Sequence, residues 1–206
     1  ASSRLLCLEN TVGGKAVSLE KMEDVSKTAR KNSLSIHLDG ARFFNAVTAL
    51  NCKPEELANC ADSVSVCLSK GLGTPLGTVL VGSSKFIRKA RRNRKILGGS
   101  MRQVGIVAAA GHYALDNNIS RLVEDHNRAE FFANELREMN IGHVDSGTNM
   151  VFFTPKDGNA DNLRLHLEKY GVKIGDQTPS IRMVLHRDVS DEGLDKAIAG
   201  FKSFYQ

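Results

Sequence analysis

The chain has 206 residues, 41% of them hydrophobic, 25% charged and 6% aromatic, with no Trp, 4 Pro, 18 Gly and a formal net charge of +5. That composition excludes collagen-like, low-complexity and disulfide-scaffold chains, and at roughly 100–200 residues per domain the length holds one substantial core and a smaller second one. The longest run of apolar or small residues, Val104–Gly111, is far below the ~20 needed to cross a bilayer, so no membrane segment is expected.

The opening residues, ASSRLLCLEN, lack a charged stretch followed by a long apolar one, and the first residue is not Met. No signal peptide is expected, and a fragment of a longer chain is. From Leu5 to Gly82 short strand-like runs alternate with helical spacing. RLLCLE comes first, then Leu19–Lys31 with Leu19, Met22, Val25 and Ala29 on one face, then SLSIHLD, SVSVCLS and TVLVG. Strand, helix, strand predicts an α/β fold with a mostly parallel, covered sheet. From Lys85 to Met139 the spacing is helical, with Ile119, Leu122, His126, Ala129, Phe132, Leu136 and Met139 recurring every three or four residues, which predicts a long connecting helix. The remainder reads as strand NMVFFTP, a helix over Asp161–Lys169, a short strand near Val172–Ile174, strand IRMVLH and a final helix over Asp191–Phe204. That is a compact α+β unit. The boundary falls between Gly99 and Asn118, dividing the chain into a large domain, 1–110, and a small C-terminal domain, 111–206.

Cys7, Cys52, Cys60 and Cys67 are 45, 8 and 7 residues apart, which fits neither a zinc site nor a redox CxxC pair. Reduced, partly buried thiols in a reducing, cytoplasmic setting are expected. No metal site is expected, and the triplet Asn118-Ile119-Ser120 is then a chance match to a glycosylation signal. The positive charge is concentrated in KFIRKARRNRK, Lys85–Lys95, which holds seven basic and no acidic residues; removing those seven from the 28 basic residues leaves 21 against 23 acidic. Only Phe86 interleaves an aromatic ring there, and no nucleic-acid-binding motif accompanies the run. It reads as a solvated helix face, or a site for an anionic small molecule or an acidic neighbouring subunit, rather than a nucleic-acid surface.

Two residues stand out chemically. Asp39 ends SLSIHLD and precedes Gly40; in α/β sheets ligands lie beyond the carboxyl ends of strands, so an Asp there faces a site, or caps a helix beginning near Ala41. Lys70 follows the strand SVSVCLS and opens the run KGLGTPLG, whose glycines permit tight turns and whose spacing is not that of a Walker loop. A lysine so placed suits Schiff-base chemistry, for which burial supplies a neutral amine, or is a surface lysine at a hairpin. Together they are an acidic partner for a ring nitrogen and an amine for an aldehyde, converging from neighbouring strand ends, as pyridoxal phosphate requires.

The segments LENT (Leu8–Thr11), GGKAVSLE (Gly13–Glu20), HLDGARFFNA (His37–Ala46), DSVSVCLSKGLGTPLGTVLVG (Asp62–Gly82), GGSMRQVGIVAAAG (Gly98–Gly111) and IRMVLHRDVS (Ile181–Ser190) together resemble the low-specificity L-threonine aldolases, from about Leu8 to the C-terminus. The resemblance implies the aspartate-aminotransferase fold type, with part of a large, mostly parallel-sheet domain and a small α+β C-terminal domain. It implies pyridoxal 5'-phosphate as cofactor, held covalently by Lys70, with Asp39 at the ring nitrogen. Arg42 and Arg182 match the carboxylate-binding positions, where a planar fork of donors suits a carboxylate. Lys95 matches a basic position near the active site. Arg102, in GGSMRQ, lies in a segment tied to the cofactor region or the subunit interface.

The implied reaction is retro-aldol cleavage of threonine or allo-threonine, a small amino-acid substrate, to glycine and acetaldehyde. The base is left open among His37, His126 and His186. A homo-oligomer, dimer or tetramer, is implied as well. The family's N-terminal portion is expected to be missing here, which predicts exposed apolar sheet edges. LENT also continues directly as VGG without the family's His, and the family's GGGMRQ reads GGSMRQ. Two alternatives stand beside this reading: a noncatalytic remnant of the fold, and a pyridoxal-phosphate enzyme of elimination or transamination type.

Overall fold

The computed structural model describes residues 3–175 and 179–206. The chain divides into two compact units, Ala1–Leu122 and Val123–Gln206.

The first unit is built on a four-stranded sheet, β1 (Leu5–Glu9), β2 (Ser35–Gly40), β3 (Ser63–Cys67) and β4 (Thr78–Gly82), in that order across the sheet. The first three strands are parallel, and β4 returns antiparallel to β3. Helix α1 (Leu19–Lys31) forms where the periodicity places it, starting at Ser18, whose hydroxyl accepts from the Lys21 amide. It buries Met22, Ser26 and Ala29. Helices α2 (Phe43–Leu50) and α3 (Pro54–Ala58) follow β2. Met22, Phe43, Ala46, Val47 and Leu57 from these helices form one core with Leu38, Val64 and Val66 of the sheet.

These helices cover one face of the sheet; among the described residues the other face is met only at β4, where Phe86 lies against Gly82, so the expected covering is partial. Strand register places Leu5, Cys7 and Glu9, then Ser35, His37 and Asp39, then Ser65 and Leu80 on the opposite face. There Leu5 and Leu80 keep 55% and 37% of their surface exposed. The cause is visible in SLSIHLD, where polar residues hold every second position, the signature of a half-buried strand. The apolar edge expected from the sequence is found at β4, where Val79 and Val81 are also exposed.

Three helices, not one, occupy the stretch from Lys85 to Met139: α4 (Ser84–Ile96), α5 (Gly105–Asn117) and α6 (Leu122–Glu138). Gly98, at φ +77°, ends the first of them beyond its cap residue Leu97, a conformation that an L side chain resists. The expected boundary at residue 110 falls inside α5, which stays within the first unit.

In the second unit β5 (Gly142–Gly147), β6 (Met150–Pro155) and β7 (Ile181–Val184) form an antiparallel sheet in that order. Helices α7 (Ala160–Glu168) and α8 (Asp191–Tyr205) complete it. Phe201 is fully buried, with Phe132 and Phe153 edge-on to its ring at 5.8 and 5.4 Å. The short strand expected near Val172–Ile174 is irregular chain instead. Gly171, at φ +72°, turns the chain at the end of α7, and the Val172 amide donates back to the Leu167 carbonyl.

Candidate active site

The carboxyl ends of β1, β2 and β3 lie side by side, because the three strands are parallel and in register. Glu9 is level with Asp39, and Asp39 with Ser65. Beyond β1, Asn10 is fully buried; its side-chain amide donates to the Val17 carbonyl at 2.9 Å and accepts from the Val17 amide at 3.1 Å. This clasp holds the turn through Gly13 and Gly14. Thr11, also buried, has a hydroxyl with no hydrogen-bond partner among the described residues.

Asp39 is exposed at the end of β2, and its Oδ1 accepts from the Ala41 amide at 2.9 Å. It therefore holds the turn before α2 rather than capping the helix, whose N-cap is Arg42. Gly40 is obligatory between them. A Cβ there would meet the Ser65 carbonyl oxygen at 2.7 Å and Phe43 Cβ at 2.9 Å. HLDGAR thus encodes a carboxylate at a strand end, a close approach to the next strand and a half-buried guanidinium at a helix start.

Lys70 lies three residues past the end of β3, in the connection to β4. Its backbone is fixed: the Gly73 amide donates to the Lys70 carbonyl at 2.9 Å, Thr74 N to Leu68 O at 3.1 Å, and the Asn118 side chain to Leu72 O at 2.7 Å. Its side chain is exposed, so the burial expected from Schiff-base chemistry is absent in this structure. A cleft of about 400 Å³ beside this loop is lined by Leu68, Gly77, Val79, Val104, Val107 and Gly111.

The structure thus brings Asp39, Arg42 and Lys70 to one end of one sheet. Lys95, in the last turn of α4, and Arg102, in the connection to α5, belong to the same unit and are exposed. Among the described residues neither side chain has a hydrogen bond or ion pair. Helix α4 buries none of its residues, its apolar Phe86 and Ile96 included. Arg182 is exposed on β7 of the second unit.

Of the three histidines, His37 sits on β2 with its Nδ1 2.9 Å from Ser63 Oγ. His126 lies on α6, where burial lowers its pKa and the neighbouring Asp125 opposes that shift. His186 is close to Asp188, at 3.6 Å. The clasp role of Asn10 and the buried Thr11 hydroxyl were not identified from the sequence, although LENT, a polar pair closing an apolar strand, was the available signal.

Residues 1–157 match the beta-eliminating lyase family. The chain is 44% identical over 204 residues to the low specificity L-threonine aldolase of Escherichia coli K12, covering 99% of this chain and 61% of that protein. It is 42% identical over 213 residues to low-specificity L-threonine aldolase 1 of Arabidopsis thaliana, covering 98% and 59%. The chain therefore spans about three fifths of the length of these relatives. In fold it is similar to threonine aldolase from Leishmania major, with a TM-score of 0.80 at 16% identity over 98% of this chain and 61% of that one. It is also similar to serine palmitoyltransferase from Sphingomonas wittichii, with a TM-score of 0.75 at 17% identity over 98% and 54%. With its carboxylate and lysine at adjacent parallel strand ends and a family match over three quarters of its length, the chain belongs to the beta-eliminating lyase family.

Proposed function

We propose that this chain carries the cofactor-anchoring part of an aldehyde lyase that converts threonine or allo-threonine to glycine and acetaldehyde. The observation that carries the reading is the placement of Asp39 and Lys70 at the carboxyl ends of adjacent parallel strands. Two of the curated relatives bear the threonine aldolase name over nearly the whole of this chain.

The donor set fits pyridoxal phosphate. Lys70 offers an amine for its aldehyde carbon, Asp39 a carboxylate for its ring nitrogen, and the unpartnered Thr11 hydroxyl stands at the same end of the sheet. When bound, the cofactor supplies a sink for the electron pair left on Cα as the Cα–Cβ bond breaks. Asp39 keeps a proton on the ring nitrogen, because a carboxylate beside it favours the charged form. Arg42 takes the substrate carboxylate with a planar fork of donors; a carboxylate-binding role for Arg182, exposed on β7, is supported by the resemblance alone. Lys95 and Arg102 add positive charge for the anionic cofactor and substrate. The β-hydroxyl loses its proton as acetaldehyde departs and Cα gains one, so threonine is fully accounted for in glycine and acetaldehyde.

In this reading the remaining part of a large cofactor-binding domain, expected from the sequence to end at residue 110, runs on through α5, the rest is a small domain, and the protein is a cytoplasmic homo-oligomer. Exposed Ile96, Leu97, Met101, Ile106 and Tyr113 support a partner copy, and four free thiols support a reducing compartment. Among the described residues no helix is long and apolar enough to cross a membrane.

Borohydride reduction with pyridoxal phosphate, followed by peptide mass spectrometry, tests the reading. A pyridoxyl group on Lys70 and aldehyde release from threonine are expected, and the label on other lysines alone would sink it. Amino-acid loss without glycine and an aldehyde would favour elimination, the chemistry for which the family is named.

A further inference from the structure

The strands that carry Asp39 and Lys70 are tied together by more than their backbone ladder. At their amino ends the Asp62 carboxylate accepts from the Ile36 amide at 2.8 Å, and the Asp62 amide donates to the Ile36 carbonyl at 2.9 Å. At their carboxyl ends Gly40 admits the Ser65 carbonyl. Between these, on the less covered face of the sheet, His37 and Ser63 are opposite one another, and Nδ1 is 2.9 Å from Oγ. Either atom can donate: the hydroxyl to a bare ring nitrogen, or a protonated ring nitrogen to the hydroxyl oxygen. Ser63 is 8% exposed and His37 half-buried, with Phe86 lying against Gly82, the partner of Ser63 on β4. A hydrogen bond shielded from water holds its partners better than one competing with it.

Side chains two apart on a strand share a face, so His37 stands directly behind Asp39. Ser63 opens the strand whose far end leads to Lys70. We propose that the His37–Ser63 hydrogen bond is a cross-strand clamp that fixes the Asp39 end of β2 against the strand leading to Lys70. His37 is then a positioning residue for the carboxylate, not the base. This inference rests on the proposed cofactor reading for its functional meaning, but the clamp itself is a property of the sheet.

Hydrogen exchange followed by mass spectrometry on the unloaded chain tests the clamp, and pyridoxal phosphate binding tests its consequence. His37→Leu or Ser63→Ala should each speed exchange of the Asp39–Arg42 amides about five-fold, the factor that one net hydrogen bond sustains. Each should weaken pyridoxal phosphate binding by a similar factor. The double variant should be no worse than either single one, because both remove the same interaction. His37→Asn, which keeps a polar atom near the Nδ1 position, and Ser63→Thr should restore the wild-type values while far-UV circular dichroism stays unchanged. Unchanged exchange in the single variants, or effects that multiply in the double variant, overturn the clamp. If the exchange pattern appears but the wild type never acquires a pyridoxyl group on Lys70, the clamp stands and the cofactor reading falls.

Discussion

Gly40 and Ser65 approach so closely that a Cβ on residue 40 would lie 2.7 Å from the Ser65 carbonyl oxygen. The obstacle is backbone, and Phe43 Cβ closes the other side at 2.9 Å, so neither neighbour can swing away. Gly40→Ala should therefore force β2 from β3 and destabilise the chain by about 1–3 kcal/mol, the usual cost of overpacking. Thermal denaturation checks this, and an unchanged melting temperature would show that the strands can separate freely. The same variant should slow pyridoxyl labelling of Lys70, since Asp39 precedes the displaced residue.

Asn10 does its work inside the fold. It is completely buried, and its amide meets both the carbonyl and the amide of Val17. Asn10→Ala leaves the half-buried Val17 amide and carbonyl without this partner, each loss costing at most about 1–3 kcal/mol, the penalty of a fully buried group. Asn10→Asp loses only the donor to the Val17 carbonyl, but places a carboxylate in the same closed space. Urea midpoints should fall for both variants; a midpoint within error of wild type for Asn10→Ala would mean that water replaces the clasp.

The sequence displayed β2 and β3 because apolar and polar residues alternate there, and α1 because Leu19, Met22, Val25 and Ala29 repeat at helical spacing with Ser18 as cap. Those are local signals, and the fold kept them. Strand β5 escaped because GHVDSG holds one large apolar residue, Val144, and gains its place by pairing with MVFFTP. The long helix expected through Lys85–Met139 broke twice, after α4 at Gly98 and between Asn117 and Leu122, where the helical spacing of the sequence concealed the stops. The positions of Asp39 and Lys70 at strand ends were legible in the sequence. The hydrogen bond from Ala41 to Asp39, the Asn10 clasp and the His37–Ser63 contact were not, because each depends on which side chains meet after the strands have paired.

In the second unit Glu130 accepts from the Ser146 hydroxyl at 2.7 Å and from Arg137 at 2.7 Å. The Ser146 hydrogen bond, with Arg137 in support and burial opposing, holds the Glu130 carboxyl below its usual range. A carboxylate with a depressed folded pKa contributes stability that is present above its unfolded value, about 4.3, and is lost as pH falls through the folded value. Wild type should therefore lose stability on acidification below about pH 4.3 more steeply than Glu130→Gln. Ser146→Ala should share part of that flattening, since it removes the leading cause. Parallel urea-midpoint profiles for all three proteins between about pH 3 and pH 6, roughly one and a half units either side of an ordinary carboxylate, would remove Glu130 from acid sensitivity.

Tyr205 closes α8 with its hydroxyl buried and unpartnered. Its ring stands edge-on to Phe153 at 6.5 Å and to Phe204 at 4.8 Å. Burial, with the charge of Asp157 adding to it, pushes its pKa up to about 12. A raised tyrosine pKa means that the folded state resists ionisation. Its ionisation therefore leaves stability untouched below the unfolded value, near 10, and costs stability as pH rises from there through the folded value. Spectrophotometric titration should show one tyrosine ionising late among the three in the chain, and Tyr205→Phe should abolish that late component. Because the hydroxyl has no partner, deleting it removes a desolvation cost without breaking a bond. Tyr205→Phe should then leave stability at neutral pH unchanged or raise it by about 1 kcal/mol. A clear loss at pH 7 would mean that the hydroxyl is satisfied in solution, and a late component persisting in the variant would assign it to Tyr113 or Tyr170.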